Sequence, residues 1–391
     1  MSVTVERQST SSNTHFRSRW MVCVLSVVSI LLVAFLSGCP GPKQPESIYG
    51  FEKNSSKLQI GFLTVGPTSD FGFNYQHNQG RLALEAMMRD RVHTVVAENI
   101  PETADAERVM QRMSDEGANL IFATSYGYLD STLRVAQKNP NVIFMHCLGT
   151  KQAPNMGTYS AALWEPAYVS GMVAAMTAKG KHNLGFVTSY PIPPVFWIIN
   201  AFTLGAQSVD KTITVDSVFT NSWNNPAAET EAVRSLAANK GIAAVYVLVD
   251  SPIAGVQAAD RAGIYSLAQH ADLSTFAPRG WLTGSVWNWG KLYEEVAQSV
   301  INKTWTNKHI SGGFKEGYVS LAPFGIAVDG ETQKKARQTV DRIAAGQLSV
   351  FTGPIADGDG VEKIPAGKSL SAEEVLTMDW VVRGVNGVPK K

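Results

Sequence analysis

From residue 58 to residue 261, short apolar runs alternate with longer stretches whose apolar positions recur every three or four residues. The runs 58–65, 92–97, 119–124 and 142–146 predict buried strands, and the stretches 76–89, 104–116 and 130–138 predict the helices between them. The series then restarts. Strands are predicted over 183–188, 213–219 and 243–249, with helices over 195–208, 227–239 and 253–261. Runs that are continuously apolar, rather than alternating, indicate strands covered on both faces and therefore a parallel sheet. The two halves also echo each other: Gln111 to Gly117 leads into the apolar 118–124, and Arg234 to Gly241 leads into 242–249. Each helix ends on a glycine, the residue that such a C-terminal stop favours.

The fold class expected is α/β, with two similar doubly wound parallel-sheet lobes and a cleft between them. Ligands of such sheets bind at the carboxyl ends of the strands, and those ends carry polar and aromatic residues. Asp70, Phe71, Phe73 and Asn74 follow the first strand, and Ser125 and Tyr126 the third. In the second half come Ser189 and Tyr190, then Asn221 to Asn224 around Trp223, then Asp250 to Pro252. Trp287, Asn288 and Trp289 sit near the return to the first lobe. Taken singly, most of these are ordinary turn residues. Aromatic faces recurring beside amide and carboxyl groups suit a flat heteroaromatic ring, by stacking and paired hydrogen bonds.

Preceding the body, Arg17 and Arg19 lead into an apolar run over 20–35 that ends in Leu36-Ser37-Gly38-Cys39. A basic approach, a short apolar stretch and small residues at its end read as a secretory signal, and the stretch is short for a spanning helix. The last four residues resemble a bacterial lipobox, which implies acylation of Cys39. Pro40-Gly41-Pro42 then begins a polar tether. Of three cysteines, Cys23 leaves with the signal, Cys39 carries the lipid, and Cys147 remains alone as core packing.

Composition narrows the partners. There are 34 basic and 33 acidic residues, with 17% charged and no basic stripe, which argues against nucleic acid. With nine tryptophans, eleven tyrosines and sixteen phenylalanines the chain is rich in large aromatics, and some are expected to serve outside its cores. Catalytic signatures are missing: Gly61, Gly66 and Gly72 lack dinucleotide spacing, and no His-Glu-x-x-His or Gly-x-Ser-x-Gly occurs. The histidines, including His77, His146 and His270, are scattered and read as structural. Asp357-Gly-Asp359-Gly360 reads as a tight turn. No enzyme, metal site or cofactor is expected.

Three segments carry a family resemblance. Asp70-Phe-Gly-Phe73-Asn74, Ser222-Trp223-Asn224-Asn225-Pro226 and Trp164-Glu-Pro-Ala-Tyr168-Val-Ser-Gly171 resemble motifs of the basic membrane protein family of substrate-binding lipoproteins over about residues 57–350. The resemblance implies a type I periplasmic binding protein, an ABC transporter permease as partner, and a purine nucleoside or nucleobase as ligand. It also implies two losses. Relatives that bind nucleosides hold the ribose with an aspartate and a lysine. Here the corresponding positions read as Gly263-Ile264-Tyr265-Ser266-Leu267, without an acid, and as Trp287. A buried hydroxyl without a partner costs about 1–3 kcal/mol, so a free base such as adenine is expected over its nucleoside.

The expected layout is a signal peptide over 1–38 and a lipidated tether over 39–56. The first lobe then takes 57–161 and 289–312, and the second 162–288 and 313–391. Expected ligand contacts are Phe73, Asn74, Tyr126, Trp164, Trp223, Asp250, Trp287 and Asn288, with Asp250 ionised and therefore only an acceptor. The protein is expected to be a monomer held to the membrane in the cell envelope. A ligand-sensing surface lipoprotein on the same fold is the rival reading. The segment after Phe351 is expected to form a surface hairpin or short helix on the second lobe.

Overall fold

In the computed structural model, which describes residues 48–389, both series of apolar runs become parallel sheets of one strand order. The signal segment, Cys39 and most of the tether lie outside the described residues. The first sheet contains β1 (Leu58–Leu63), β2 (Val92–Ala97), β3 (Leu120–Ala123), β4 (Ile143–Cys147) and β5 (Met156–Tyr159). The second is built on β6 (Asn183–Thr188), β7 (Thr214–Phe219), β8 (Ala244–Leu248), β9 (Tyr265–His270) and β10 (Trp281–Trp287). Both run second–first–third–fourth–fifth across the sheet, so each lobe is doubly wound.

Equivalent positions do equivalent work in the two cores. Phe62 of β1 pairs with Phe122 of β3, and their rings stack at 4.9 Å. Phe186 of β6 pairs with Tyr246 of β8, stacked at 5.3 Å. All four are buried, as continuous apolar strands require when helices cover both faces. The helices stop as the sequence predicts: Ala104–Glu116 ends on Gly117 at φ 118°, and Pro226–Lys240 on Gly241 at φ 60°.

Three strands complete the sheets. The chain returns to the first sheet through helix Trp289–Ile301, which packs on helix Phe73–Met88, and adds β11 (His309–Ile310) beside β5. It crosses back to add β12 (Val319–Leu321) antiparallel to β10, the one antiparallel edge of an otherwise parallel sheet. After Phe351 come a small hairpin of β13 (Ile355–Ala356) and β14 (Glu362–Ile364) and the short helix Ala372–Leu376. The segment does more than decorate the surface, because β15 (Val385–Asn386) pairs with β7 and extends the second sheet. The chain thus passes between lobes after β5, after β10 and after β11, the arrangement of a type I periplasmic binding protein. No helix among the described residues is long and apolar enough to cross a membrane.

Candidate functional site

The carboxyl ends of the two sheets face one another across a cleft of about 750 Å³, counted with the solvent at its mouth. That lies within the range of small-molecule sites. The first lobe contributes Val65, Phe73, Glu102, Ser125, Tyr126 and Leu148. The second contributes Ile192, Pro194, Val195, Trp197, Ile198, Trp223, Leu248, Asp250, Gln269, His270 and Trp287. Every strand end that a doubly wound sheet turns toward its switch point is represented.

Five of the eight expected ligand contacts meet here: Phe73, Tyr126, Trp223, Asp250 and Trp287. Three do not line the cleft. Asn74 turns its amide onto Asp70, with Nδ2 donating to Oδ2 at 2.7 Å, and its Oδ1 is buried without a partner. Trp164 stands edge-on to Trp197 at 5.3 Å, and Trp197 takes the wall position. Asn288 is used in the crossover, where its main-chain N–H donates to the Tyr318 carbonyl and its Nδ2 to the Gly317 carbonyl.

The segment expected at a sugar position is corrected as well. Tyr265 begins β9, paired with Ala244 at the start of β8, and therefore sits at the end of the sheet away from the cleft. The cleft end of β9 is Gln269 and His270. His270 is held at φ 89°, a left-handed conformation that is strained for a residue with a side chain. Its Nδ1 accepts the indole N–H of Trp287 at 2.9 Å, and the Val249 backbone also hydrogen-bonds the ring. An indole can only donate, so the ring proton is on Nε2. Burial holds this imidazole neutral, down to about 3. From His270 a column of parallel rings continues inward through Trp287, Trp289 and His77, with interplanar angles of 11°, 19° and 11°.

Two carboxyl groups reach the cleft. Glu102 follows β2, and its Oε1 accepts from Ser125 Oγ at 2.5 Å and from the Gly127 N–H at 2.8 Å. Asp250, after β8, is tied by its main chain: its N–H donates to the Trp223 carbonyl, and its carbonyl accepts from Phe73 N–H. Burial, and then repulsion from Asp70, Glu102 and Glu229, push its carboxyl well above the usual range. This setting disfavours the ionised acceptor that the sequence led one to expect.

The lobes touch where these residues sit. Phe73 N–H reaches the Asp250 carbonyl at 3.1 Å, and Ser251 Oγ donates to the Asp70 carbonyl at 2.7 Å. Phe71, also left-handed at φ 53°, stacks on Tyr75 and meets Phe276 of the second lobe edge-on at 5.5 Å. A Cβ on Gly72 would lie 1.5 Å from the Asp250 carbonyl oxygen, so only glycine allows this approach. The first-lobe loop is itself braced by Asp70, whose carboxylate takes the N–H groups of Gly72, Asn74 and Tyr75 and so caps helix Phe73–Met88.

Sequence reasoning missed Trp197, Glu102, Gln269 and His270. Glu102 had a usable signal, since it follows a strand whose carboxyl end had to face the same edge. The other three depended on knowing where helix Pro193–Val209 and strand β9 begin and end.

Comparison with known proteins agrees with this fold. The family model described as ABC transporter substrate-binding protein PnrA-like (Bmp) matches residues 57–350. A purine-binding protein of Brucella abortus is 41% identical over 330 residues, 84% of this chain and 93% of its own length. A protein of Haloferax volcanii named for glucose binding is 28% identical over 80% of this chain and 79% of its own. A solved ABC transporter solute-binding protein from Conexibacter woesei superposes with a TM-score of 0.63 at 18% identity. It covers 75% of this chain and 98% of its own.

Proposed function

The chain belongs to the Bmp family of PnrA-like ABC transporter substrate-binding proteins, and we propose that it captures a free purine base, adenine foremost, for uptake. Members of such transporters work outside the cytoplasm, bind a small molecule without altering it, and deliver it to a membrane permease. In this reading the lobes are 57–161 with 289–312 and 162–288 with 313–391, and the ligand is held as they close. Cys39 would carry the lipid that keeps the protein at the membrane.

The observation that carries the ligand assignment is the makeup of the walls. Phe73 and Tyr126 from one lobe, and Trp197, Trp223 and Trp287 from the other, offer ring faces. The polar groups among them are few. Asp250 can donate and accept. Gln269 spends its Oε1 on Tyr246 at 3.3 Å and keeps its amide N–H groups. A planar base with hydrogen-bonding edges matches that inventory. Two groups with which a second-lobe wall could meet sugar hydroxyls are spent on one another, because the indole N–H of Trp287 is given to His270. Each hydroxyl of a ribose, or of glucose, would need a partner, and walls made mostly of rings and aliphatic side chains offer few. The name of the Brucella relative favours the same class.

Calorimetric titration of adenine, adenosine, guanine and guanosine tests the reading. The bases are expected to bind at least tenfold more tightly than their nucleosides. Equal affinities would mean that the ring column does not restrict the sugar side, and failure of all four would remove the purine assignment.

A further inference from the structure

Among the described residues, the cleft is lined by two carboxyl groups and by no lysine or arginine. One of them, Glu102, is occupied with Ser125 and Gly127. The other, on Asp250, has no hydrogen bond among the described residues, although both ends of its peptide unit are fixed. The acids closest in influence come from three different elements: Asp70 from the loop after β1, Glu102 from the loop after β2, and Glu229 from helix Pro226–Lys240. The histidine on the neighbouring strand end, His270, is neutral and hydrogen-bonded to Trp287. A negative charge at this point would be desolvated and surrounded by acids, with no cation among the described residues lining the cleft, and is strongly disfavoured.

We infer that Asp250 meets the ligand as a hydrogen-bond donor, and that the cleft selects uncharged purines with an acceptor at that edge while rejecting anionic ones. The excluded class comprises purine nucleotides and oxidised bases, such as urate, that carry a negative charge at neutral pH. The direction of the Asp250 shift supports this, since its first cause is burial and the rest are acids. The inference rests on the purine reading above and adds a charge rule to it. An anion entering the cleft would face Glu102 directly and would find no guanidinium or ammonium group to offset its own desolvation.

The test uses the mature protein and calorimetric titration of adenine, urate and AMP at about pH 6 and about pH 8.5. Adenine is uncharged across that span. It is expected to bind at least a hundredfold more tightly than urate or AMP, and its affinity is expected to hold or fall, never rise, with pH. Asp250→Ala is expected to lose at least tenfold more affinity for adenine than Asp250→Asn, which keeps a neutral donor. Urate or AMP binding within tenfold of adenine would overturn the inference and leave the purine reading standing. So would an affinity for adenine that rises with pH. If adenine itself does not bind to folded protein, the purine reading falls and the charge rule with it. The ligand panel on the parent protein decides the matter even if neither variant folds.

Discussion

The indole N–H of Trp287 and the Nδ1 of His270 lie 2.9 Å apart, a hydrogen bond between the ends of two adjacent strands that closes one wall of the cleft. It joins a strained backbone to the ring column that crosses from the second lobe into the first. The bond consumes the polar atom of the indole, so Trp287 has no free hydrogen-bonding group toward the cleft.

Trp287→Phe keeps a ring in the wall and leaves His270 Nδ1 buried without a donor. Removing one partner of a buried pair costs about 1–3 kcal/mol. Denaturant unfolding of the variant is expected to show that loss. A variant as stable as the parent would mean that the bond contributes little beyond packing.

Phe73 and Trp223 belong to opposite lobes, and both line the cleft. Truncating a stacking partner costs roughly 1–3 kcal/mol, so Phe73→Ala and Trp223→Ala are expected to bind adenine about ten- to a hundredfold more weakly. Trp164, behind Trp197, is instead expected to show its effect in thermal stability when replaced by alanine. The opposite ranking in titration and melting would place the stacking surface at Trp164.

Gly72 gives a test of closure that leaves the cleft wall unchanged. A methyl group there collides with the Asp250 carbonyl oxygen at 1.5 Å, across the lobe boundary rather than inside either core. Gly72→Ala is expected to unfold near the parent temperature, to bind at least tenfold more weakly, and to show a larger radius of gyration in solution scattering with ligand present. A variant that compacts on binding as the parent does would show that the loop yields.

These features differ in how far the sequence exposed them. Strands β1 to β4 and β6 to β8 were legible because apolar residues recur along them and helical stretches separate them, although β2 and β7 each carry polar residues. Strands β9 and β10 were not, although both are almost entirely buried. Their Gln269, Thr283 and Ser285 break the apolar run, and each finds a partner that only the fold supplies. Gln269 and Ser285 both meet the Tyr246 hydroxyl, and Thr283 donates to the Ala322 carbonyl. Gly284, another apparent interruption, sits where a Cβ would be 2.3 Å from the Ala268 carbonyl oxygen. His270 was hidden for the same reason, since a histidine at an unrecognised strand end looks like any other. The third tryptophan of the cleft, Trp197, could not be separated from Trp164 by pattern, because their contact joins two helices.

Cys39→Ser is expected to leave the body folded and ligand-binding while abolishing acylation, because Cys39 alone in Leu36-Ser37-Gly38-Cys39 offers a thiol. Labelling cells with a fatty-acid probe reads this directly. Equal labelling of the variant would exclude Cys39 as the site.

The last crossover carries a titratable group. Glu165 begins helix Trp164–Ala178 of the second lobe, and its Oε2 accepts the N–H of Phe314, which lies in the passage from β11 to β12, at 2.7 Å. A Cβ on Gly313 would press into this carboxylate, so the two segments are in close contact. Burial raises the Glu165 carboxyl to about 7; the Phe314 hydrogen bond opposes that, and nearby Glu316 adds to it. Lys291 gives its ammonium group to the Glu316 carbonyl and not to Glu165. Because the folded value exceeds the unfolded one, the folded protein holds the proton more tightly between pH 4.5 and about 7. Stability therefore falls as pH rises through that window and is level above it. At about 1.4 kcal/mol per pH unit, the loss is on the order of 3 kcal/mol. Glu165→Gln keeps the acceptor oxygen and removes the charge, so its melting temperature is expected to exceed that of the parent at pH 8 and to approach it at pH 5. Parallel pH profiles for the two proteins would show that the carboxyl ionises without cost, and that this hinge contact is insensitive to pH.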